Sequence, residues 1–322
     1  MMSSKHLYAA IDNRKVAIVG AGFVGSSIAN ALTIRNLARE IILIDINEER
    51  AKGEALDIQH GISYMGASSV RTGSYEDCAN CDLIIITAGR PRRNGETRLD
   101  MIADNIGIMR NTVTEIQKYY THGVILVVSN PVDILTQKAV EWMGLPEGRV
   151  FGTGCILDTS RLIRRIADYT KLNIEAIKCD VVGEHGDTQF PVWSRLAIAG
   201  IPMQEYCDNV GLKWGEEQQE KLYTDVRAMG ATIIAAKGRT HYGIATCVCS
   251  LADAILNQRL TIAPITSPLR GEYGINDVSI SIPSIIGVNG VEHHLEERWS
   301  DDEVRRLRYS AEKMKETLNQ LR

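Results

Sequence analysis

The sequence predicts an α/β chain, a doubly wound parallel sheet followed by a second, mixed α+β domain. Three observations carry this. The first half of the 322 residues alternates short β-rich runs with helical patterns. Its strands read as continuous apolar segments, the pattern of a parallel sheet covered on both faces. From about residue 158 longer helices and polar-alternating segments take over. The length itself is that of about two domains, placed at 13–157 and 158–322.

Taken in order, Lys15–Val19 is a strand, followed by a helix from about Gly25. Ile41–Ile44 is the second strand and Glu48–His60 the second helix. Leu83–Thr87 and Val124–Val128 are further strands, with a helix after Arg98 between them. In the second domain, Thr224–Lys237 reads as a helix stopped by Gly238, and Val278–Ile282 as a polar-alternating strand. Ser300 and Glu303 form a capping box ahead of Val304, Leu307, Met314, Leu318 and Leu321, which share one face of an amphipathic helix lying on the body.

Composition narrows the function. Hydrophobic residues at 44% and charged residues at 24% are globular values and exclude a disordered or fibrous chain. Thirty-six Lys and Arg against forty Asp and Glu give −4, with no block of like charge, so a nucleic-acid or membrane-surface partner is not expected and a small molecule is. Apolar runs such as Leu83–Ile86 fall far short of the ~18 residues of a membrane span, and MMSSKHLYAAIDN lacks a signal-peptide core. A cytoplasmic location is expected. Seven cysteines, an odd number, argue for reduced thiols. Cys78 and Cys81 lack a partner pair or a histidine at zinc spacing, so they read as small buried hydrophobes and no metal is expected.

Gly20, Gly22 and Gly25 in GAGFVG follow the strand KVAIV and open a helix, the setting in which a glycine pattern becomes a dinucleotide fingerprint. Glycines there permit a tight turn and close approach of the backbone to a pyrophosphate, while the helix N-terminus faces its charge. Asp45 ends the next strand 20 residues after Gly25. Its carboxylate can accept both ribose hydroxyls and repels a 2′-phosphate, so NAD is favoured over NADP. This makes the first domain Rossmann-type.

His185, between glycines in GEHGDTQFP, can exchange a proton near neutral pH, as carbonyl and alcohol interconversion requires. Alone it reads more often as a structural turn residue than as a catalytic one. Asp158 and Arg161 in LDTSR stand at i and i+3 on one helix face. They are either a surface ion pair, or a carboxylate orienting His185 beside a guanidinium that grips a substrate carboxylate. Spacing does not choose between the two. Arg90, Arg92, Arg93 and Arg98 crowd a loop after the strand LIIITAG, where an open α/β sheet binds ligands. A mobile lid bringing positive charge to an anionic substrate fits them.

The strings GAGFVGSS, LIDI, TAGRPRRNGETRLD, VSNPVD, LDTSR, GEHGDTQFPVW and KGRTHYGIA, in order across nearly the whole chain, resemble the L-lactate/malate dehydrogenase family. The resemblance implies that His185 is the proton donor and acceptor, Asp158 its partner, and Arg161 the binder of the substrate carboxylate. It implies that Arg98 on the lid polarises the carbonyl. Asn130 would bind substrate and border the nicotinamide, and Thr240 would line the side-chain end of the pocket. Gly20, Gly22, Phe23, Val24, Gly25 and Asp45 would hold NAD, with Thr87, Ala88 and Gly89 passing along it. A homodimer or homotetramer is implied. A non-catalytic NAD-binding protein on the same fold is the alternative of another class, against which Asp158, Arg161, His185 and Arg98 speak together.

Within the family, GETR, GEHGDT and the Thr240 segment are similar to the lactate dehydrogenase branch, yet Arg92 stands where malate dehydrogenases carry Arg and lactate dehydrogenases usually carry Gln. A guanidinium closed into a pocket without a counter-charge is costly, and the second carboxylate of oxaloacetate satisfies it. Malate/oxaloacetate is therefore the favoured substrate pair at this level and lactate/pyruvate the alternative. Where some members bind fructose 1,6-bisphosphate through an Arg and a His, this chain has Ile163 and Lys178, so at least half of that pair is missing. Because Asp45 is followed by Ile46 and Asn47 rather than a basic residue, kcat/KM should favour NADH over NADPH by at least ~10²-fold. Equal rates with the two cofactors would show that Asp45 does not meet the ribose.

Overall fold

The computed structural model of the chain describes residues 14–66, 68–91 and 95–321. They form two compact units. The first holds the chain to Thr153 together with His241–Ile262 and Ser284–His294; the second holds Gly154–Thr240, Ala263–Pro283 and the chain from Leu295.

In the first unit the chain alternates strand and helix as β1 (Lys15–Val19), α1 (Phe23–Ile34), β2 (Glu40–Ile44), α2 (Glu48–Gly61), β3 (Ser69–Thr72), β4 (Leu83–Ile86), α3 (Arg98–Tyr119), β5 (Val124–Val127), α4 (Val132–Met143) and β6 (Val150–Gly152). The strands lie in the order β3-β2-β1-β4-β5-β6, all parallel. Residues 83–86 and 124–127 are buried throughout, as strands covered on both faces must be. Chain order reverses between β1 and β4, so the turns that follow these two strands open at the switch point where such sheets bind ligands. Cys78 and Cys81 sit in this unit's apolar core, and burial pushes both thiols up to about 12, keeping them protonated.

The second unit begins with α5 (Ile156–Thr170) and continues through short strands, β7 (Ile177–Lys178), β8 (Val181–Val182), β9 (Phe190–Pro191), β10 (Ala197–Ile198) and β11 (Ile201–Pro202). Helices α6 (Met203–Val210) and α7 (Glu216–Lys237) follow. β8 pairs antiparallel with β9, and β10 with β7 and β11. Leu162 and Ile166 of α5 pack with Ile177, Val181, Leu196, Ile198 and Val226 in the core. Helix α7 starts eight residues before the expected Thr224, because the polar run from Glu216 has helix propensity without an apolar period to announce it. It ends as expected at Gly238 in the left-handed conformation.

The later elements are α8 (Tyr242–Leu256), β12 (Thr261–Arg270), β13 (Asn276–Gly287), β14 (Gly290–His294) and α9 (Asp301–Gln320). Although it follows the expected division at 157/158, α8 packs on α1 in the first unit. Its buried face of Ala245, Val248, Cys249, Ala252 and Ile255 has small side chains that permit this packing, and periodicity cannot report which domain such a face covers. The serines of Val278–Ile282 also depart from their alternating pattern: Ser279 and Ser281 are as buried as their apolar neighbours. The expected capping box opens α9, with Ser300 accepting the Glu303 N–H and the Glu303 carboxylate accepting that of Ser300. Among the described residues no helix is long and apolar enough to cross a membrane.

Candidate functional site

The glycine turn of the first unit is shaped by crowding. Gly20 leaves β1 with φ +108°, and a Cβ there would stand 2.7 Å from Thr87 Oγ1 and 2.8 Å from the Ala88 nitrogen. A Cβ on Gly25 would stand 1.9 Å from the Gly20 oxygen. Gly22 differs, since a Cβ there meets nothing within 4 Å. The described residues leave the space over this residue open, at the N-terminus of a helix with no acidic residue in its first turn and no side-chain cap. Such a cradle suits a pyrophosphate approaching the backbone at Gly22, Phe23 and Val24, so the residues fit a dinucleotide.

Asp45 accepts the Ala21 N–H at 2.6 Å on one oxygen and the Asn47 N–H at 2.9 Å on the other. The carboxylate thus also latches the glycine turn, a contact the sequence did not foretell. With about four acceptor sites it retains capacity for ribose hydroxyls. Thr87 donates to the Gly20 carbonyl at 2.8 Å, and Ser129 to that of Ala88 at 2.6 Å. Buried Asn105 accepts the Arg90 N–H at 2.9 Å and donates to the carbonyls of Arg90 and Asn130, fixing the β4 and β5 turns, including Gly89, relative to each other. Asn130 precedes Pro131 through a cis peptide bond, and its Oδ1 accepts the Val132 N–H at 3.2 Å.

One expectation for the arginine loop changes. Arg90 is ion-paired with Glu96 and Asp104, so its charge holds the loop together and is not on offer to a substrate. Arg92, Arg93 and Asn94 lie outside the described residues, as does the side chain of Arg98.

In the second unit, α5 carries Asp158 in its first turn, buried, with Arg161 one turn on. The ion pair is not a surface one, since Asp158 is buried, and the same carboxylate also meets His185. Asp158 Oδ1 accepts from Arg161 Nη1 at 3.0 Å, and Oδ2 lies 2.6 Å from His185 Nδ1. Among the described residues Nη1 is the only part of the Arg161 guanidinium that makes a hydrogen bond. Burial works against the Asp158 charge, but the hydrogen bond and charge of His185, with those of Arg161, outweigh it and hold the carboxyl below its usual range. An ionised carboxylate on Nδ1 fixes the histidine tautomer and stabilises the imidazolium, which fits the ring for general acid–base work. Thr240 is half-buried on the connection after α7, in this same unit.

The sequence missed the supports of the His185 turn. Ser310 of α9, fully buried, accepts the Glu184 N–H at 2.8 Å and shares a hydrogen bond with Thr188. Thr159 accepts the Val181 N–H at 2.8 Å, tying α5 to β8. A signal existed: Ser310 falls between Leu307 and Met314 on the apolar face of α9, as Asn105 falls between Ile102 and Met109 in α3. A polar residue in an apolar phase needs a buried partner.

Residues 14–152 match the NAD-binding domain of lactate/malate dehydrogenase, and residues 155–322 match its alpha/beta C-terminal domain. The chain belongs to the lactate/malate dehydrogenase family. It is 40% identical over 308 residues to the L-lactate dehydrogenase of Acetivibrio thermocellus, covering 96% of this chain and 97% of that protein. Identity is again 40% to L-lactate dehydrogenase 1 of Clostridium acetobutylicum, over 96% of this chain and 99% of the other. Among solved structures, the minor L-lactate dehydrogenase from Enterococcus mundtii in its ligands-bound form superposes with a TM-score of 0.92 at 37% identity, covering 96% and 99%. The chain is thus an NAD-dependent 2-hydroxy acid dehydrogenase.

The depressed pKa of Asp158 has a consequence for stability. Its ionised form favours the folded state, so its contribution is complete above the unfolded carboxyl value of about 3.9 and is lost as pH falls through the lower folded value. Urea unfolding should show Asp158→Asn less stable than wild type at neutral pH, with the gap narrowing below about pH 4. A gap that stays constant down to the acid limit would mean that Asp158 is not held ionised by its partners.

Proposed function

We propose that this dehydrogenase interconverts L-lactate and pyruvate. The observation that carries the reading is the buried Asp158 joined to both His185 and Arg161, in a chain whose relatives over nearly its full length are named L-lactate dehydrogenase. Bound NADH supplies the hydride to C2 of the 2-oxo acid. His185 holds the proton at Nε2 and delivers it to the carbonyl oxygen, while Asp158 keeps Nδ1 oriented and stabilises the charged ring. Arg161 pairs with the substrate carboxylate through parallel hydrogen bonds. Arg98 stabilises the developing alkoxide, Asn130 positions substrate beside the nicotinamide, and Thr240 lines the far end of the pocket. Gly20, Gly22, Phe23, Val24, Gly25, Asp45, Thr87, Ala88 and Gly89 hold the cofactor. The enzyme works in the cytoplasm as a homodimer or homotetramer.

Malate/oxaloacetate is the second reading, favoured by Arg92 alone. It needs that guanidinium inside the closed pocket, whereas full-length similarity to lactate dehydrogenases weighs on every other contact with the substrate. A buried unpaired charge facing the methyl of pyruvate would cost ~10- to 10³-fold in kcat/KM. On the lactate reading that cost is not incurred, and pyruvate should exceed oxaloacetate in kcat/KM, with Arg92→Gln leaving that order in place. A wild-type preference for oxaloacetate that Arg92→Gln reverses moves the assignment to malate. Asp158→Asn and His185→Gln should each lower turnover by orders of magnitude while NADH binding persists. Near-normal turnover of Asp158→Asn would reduce that residue to a structural ion pair.

A further inference from the structure

We propose that Ser281 is a positioning residue for the proton relay, setting the distance between His185 and Asp158 without touching either. The proposal rests on the reading of His185 and Asp158 as the relay. Ser281 lies on β13, far in sequence from both, and is fully buried. Its backbone exchanges two hydrogen bonds with Gly183: the Gly183 N–H donates to the Ser281 carbonyl at 2.9 Å and the Ser281 N–H to the Gly183 carbonyl at 3.0 Å. Gly183 stands two residues before His185. The Ser281 hydroxyl oxygen accepts the Cys155 N–H at 3.1 Å. Cys155 is the N-cap of α5, three residues before Asp158.

One residue therefore holds the root of the His185 turn by its main chain and the root of the Asp158 helix by its side chain. The seat is tight. Gly154 adopts φ +51°, and a Cβ on it would stand 2.3 Å from Ser281 Oγ and 2.6 Å from the Thr266 nitrogen, so the loop before α5 lies directly on β12 and β13. Cys155 Sγ closes the triangle by donating to the Gly183 carbonyl at 3.6 Å. Thr159, next to Asp158, adds a tie from the same turn of α5 to β8, and Ser281 holds the end of the helix that precedes it. Without the hydroxyl the buried Cys155 N–H loses its acceptor, and the helix end shifts to find another. The 2.6 Å contact between Asp158 and His185 then loosens. A displacement of a fraction of an ångström is enough to slow a proton transfer that depends on a fixed tautomer and ring orientation.

The test sets Ser281→Ala and Ser281→Cys beside wild type and Thr266→Val, a neighbouring buried hydroxyl without a hydrogen-bond partner among the described residues. Steady-state kinetics with NADH and pyruvate and proton NMR of the His185 ring are the readouts. Ser281→Ala should lower kcat by roughly 10-fold, with KM for pyruvate and NADH binding nearly unchanged. The low-field resonance of the His185 Nδ1 proton should move upfield. Thr266→Val should change none of these. If Ser281→Ala does not accumulate as folded protein, Ser281→Cys gives the same readouts, its sulfur being too weak an acceptor to hold the Cys155 N–H. Wild-type kcat and an unmoved resonance in either folded variant overturn the proposal, as does an equal loss in Thr266→Val. His185→Gln, run in parallel, separates the two levels: if it keeps turnover the relay reading itself fails and Ser281 falls with it, and if it is inactive the Ser281 result stands on its own.

Discussion

The second unit is organised around a carboxylate kept ionised out of water. A buried charge without partners costs several kcal/mol and would protonate instead. Asp158 avoids this because each of its oxygens meets a cationic or cation-forming group, Arg161 on one and His185 on the other. Its place in the first turn of α5 adds the favourable end of the helix dipole. Losing either partner leaves the charge stranded, so the arrangement specifies itself: the two side chains must reach Asp158 for the fold to keep it there.

That requirement explains how many tethers converge on the His185 turn. Ser310 from α9, Thr159 from α5 and the Gly183–Ser281 bridge from β13 come from three separated stretches of chain. Each satisfies a backbone group that burial would otherwise leave unpaired. A turn held at that many points has little freedom to reorganise, which suits the proposed acid–base role of His185.

The first unit solves a different problem by different means. Gly20 and Gly25 are required by their own neighbours, through contacts a Cβ would violate, while a Cβ on Gly22 would meet no atom of the described residues. The first two build the turn and the third leaves open space at the end of α1. Asp45 belongs to both tasks, since it bonds the Ala21 N–H inside the turn and has acceptor capacity left over. On the neighbouring loop Arg90 is spent on Glu96 and Asp104, so a charge within a basic stretch of sequence is not thereby available to a ligand.

The sequence by itself determined what is local. The β1 turn and α1, the strands at Lys15–Val19 and Leu83–Ile86, the capping box at Ser300 and the shared face of Asp158 and Arg161 all follow from residues within a few positions of one another. Their periodicity, turn chemistry and caps act over that range. Family resemblance implied roles for residues, and Arg92 alone drew the substrate expectation towards malate, whereas the relatives over nearly the full chain are named L-lactate dehydrogenase. Only the tertiary structure decided that Asp158 and His185, 27 residues apart, share a 2.6 Å contact. It also decided that α8 covers the first unit, and that Ser281 and Ser310 are buried donors and acceptors rather than solvated hydroxyls. The physical reason is common to these cases. A sequence pattern shows which side chains share a face of a helix or strand, but the element that covers that face, and the polar group it brings as a partner, come from distant parts of the chain.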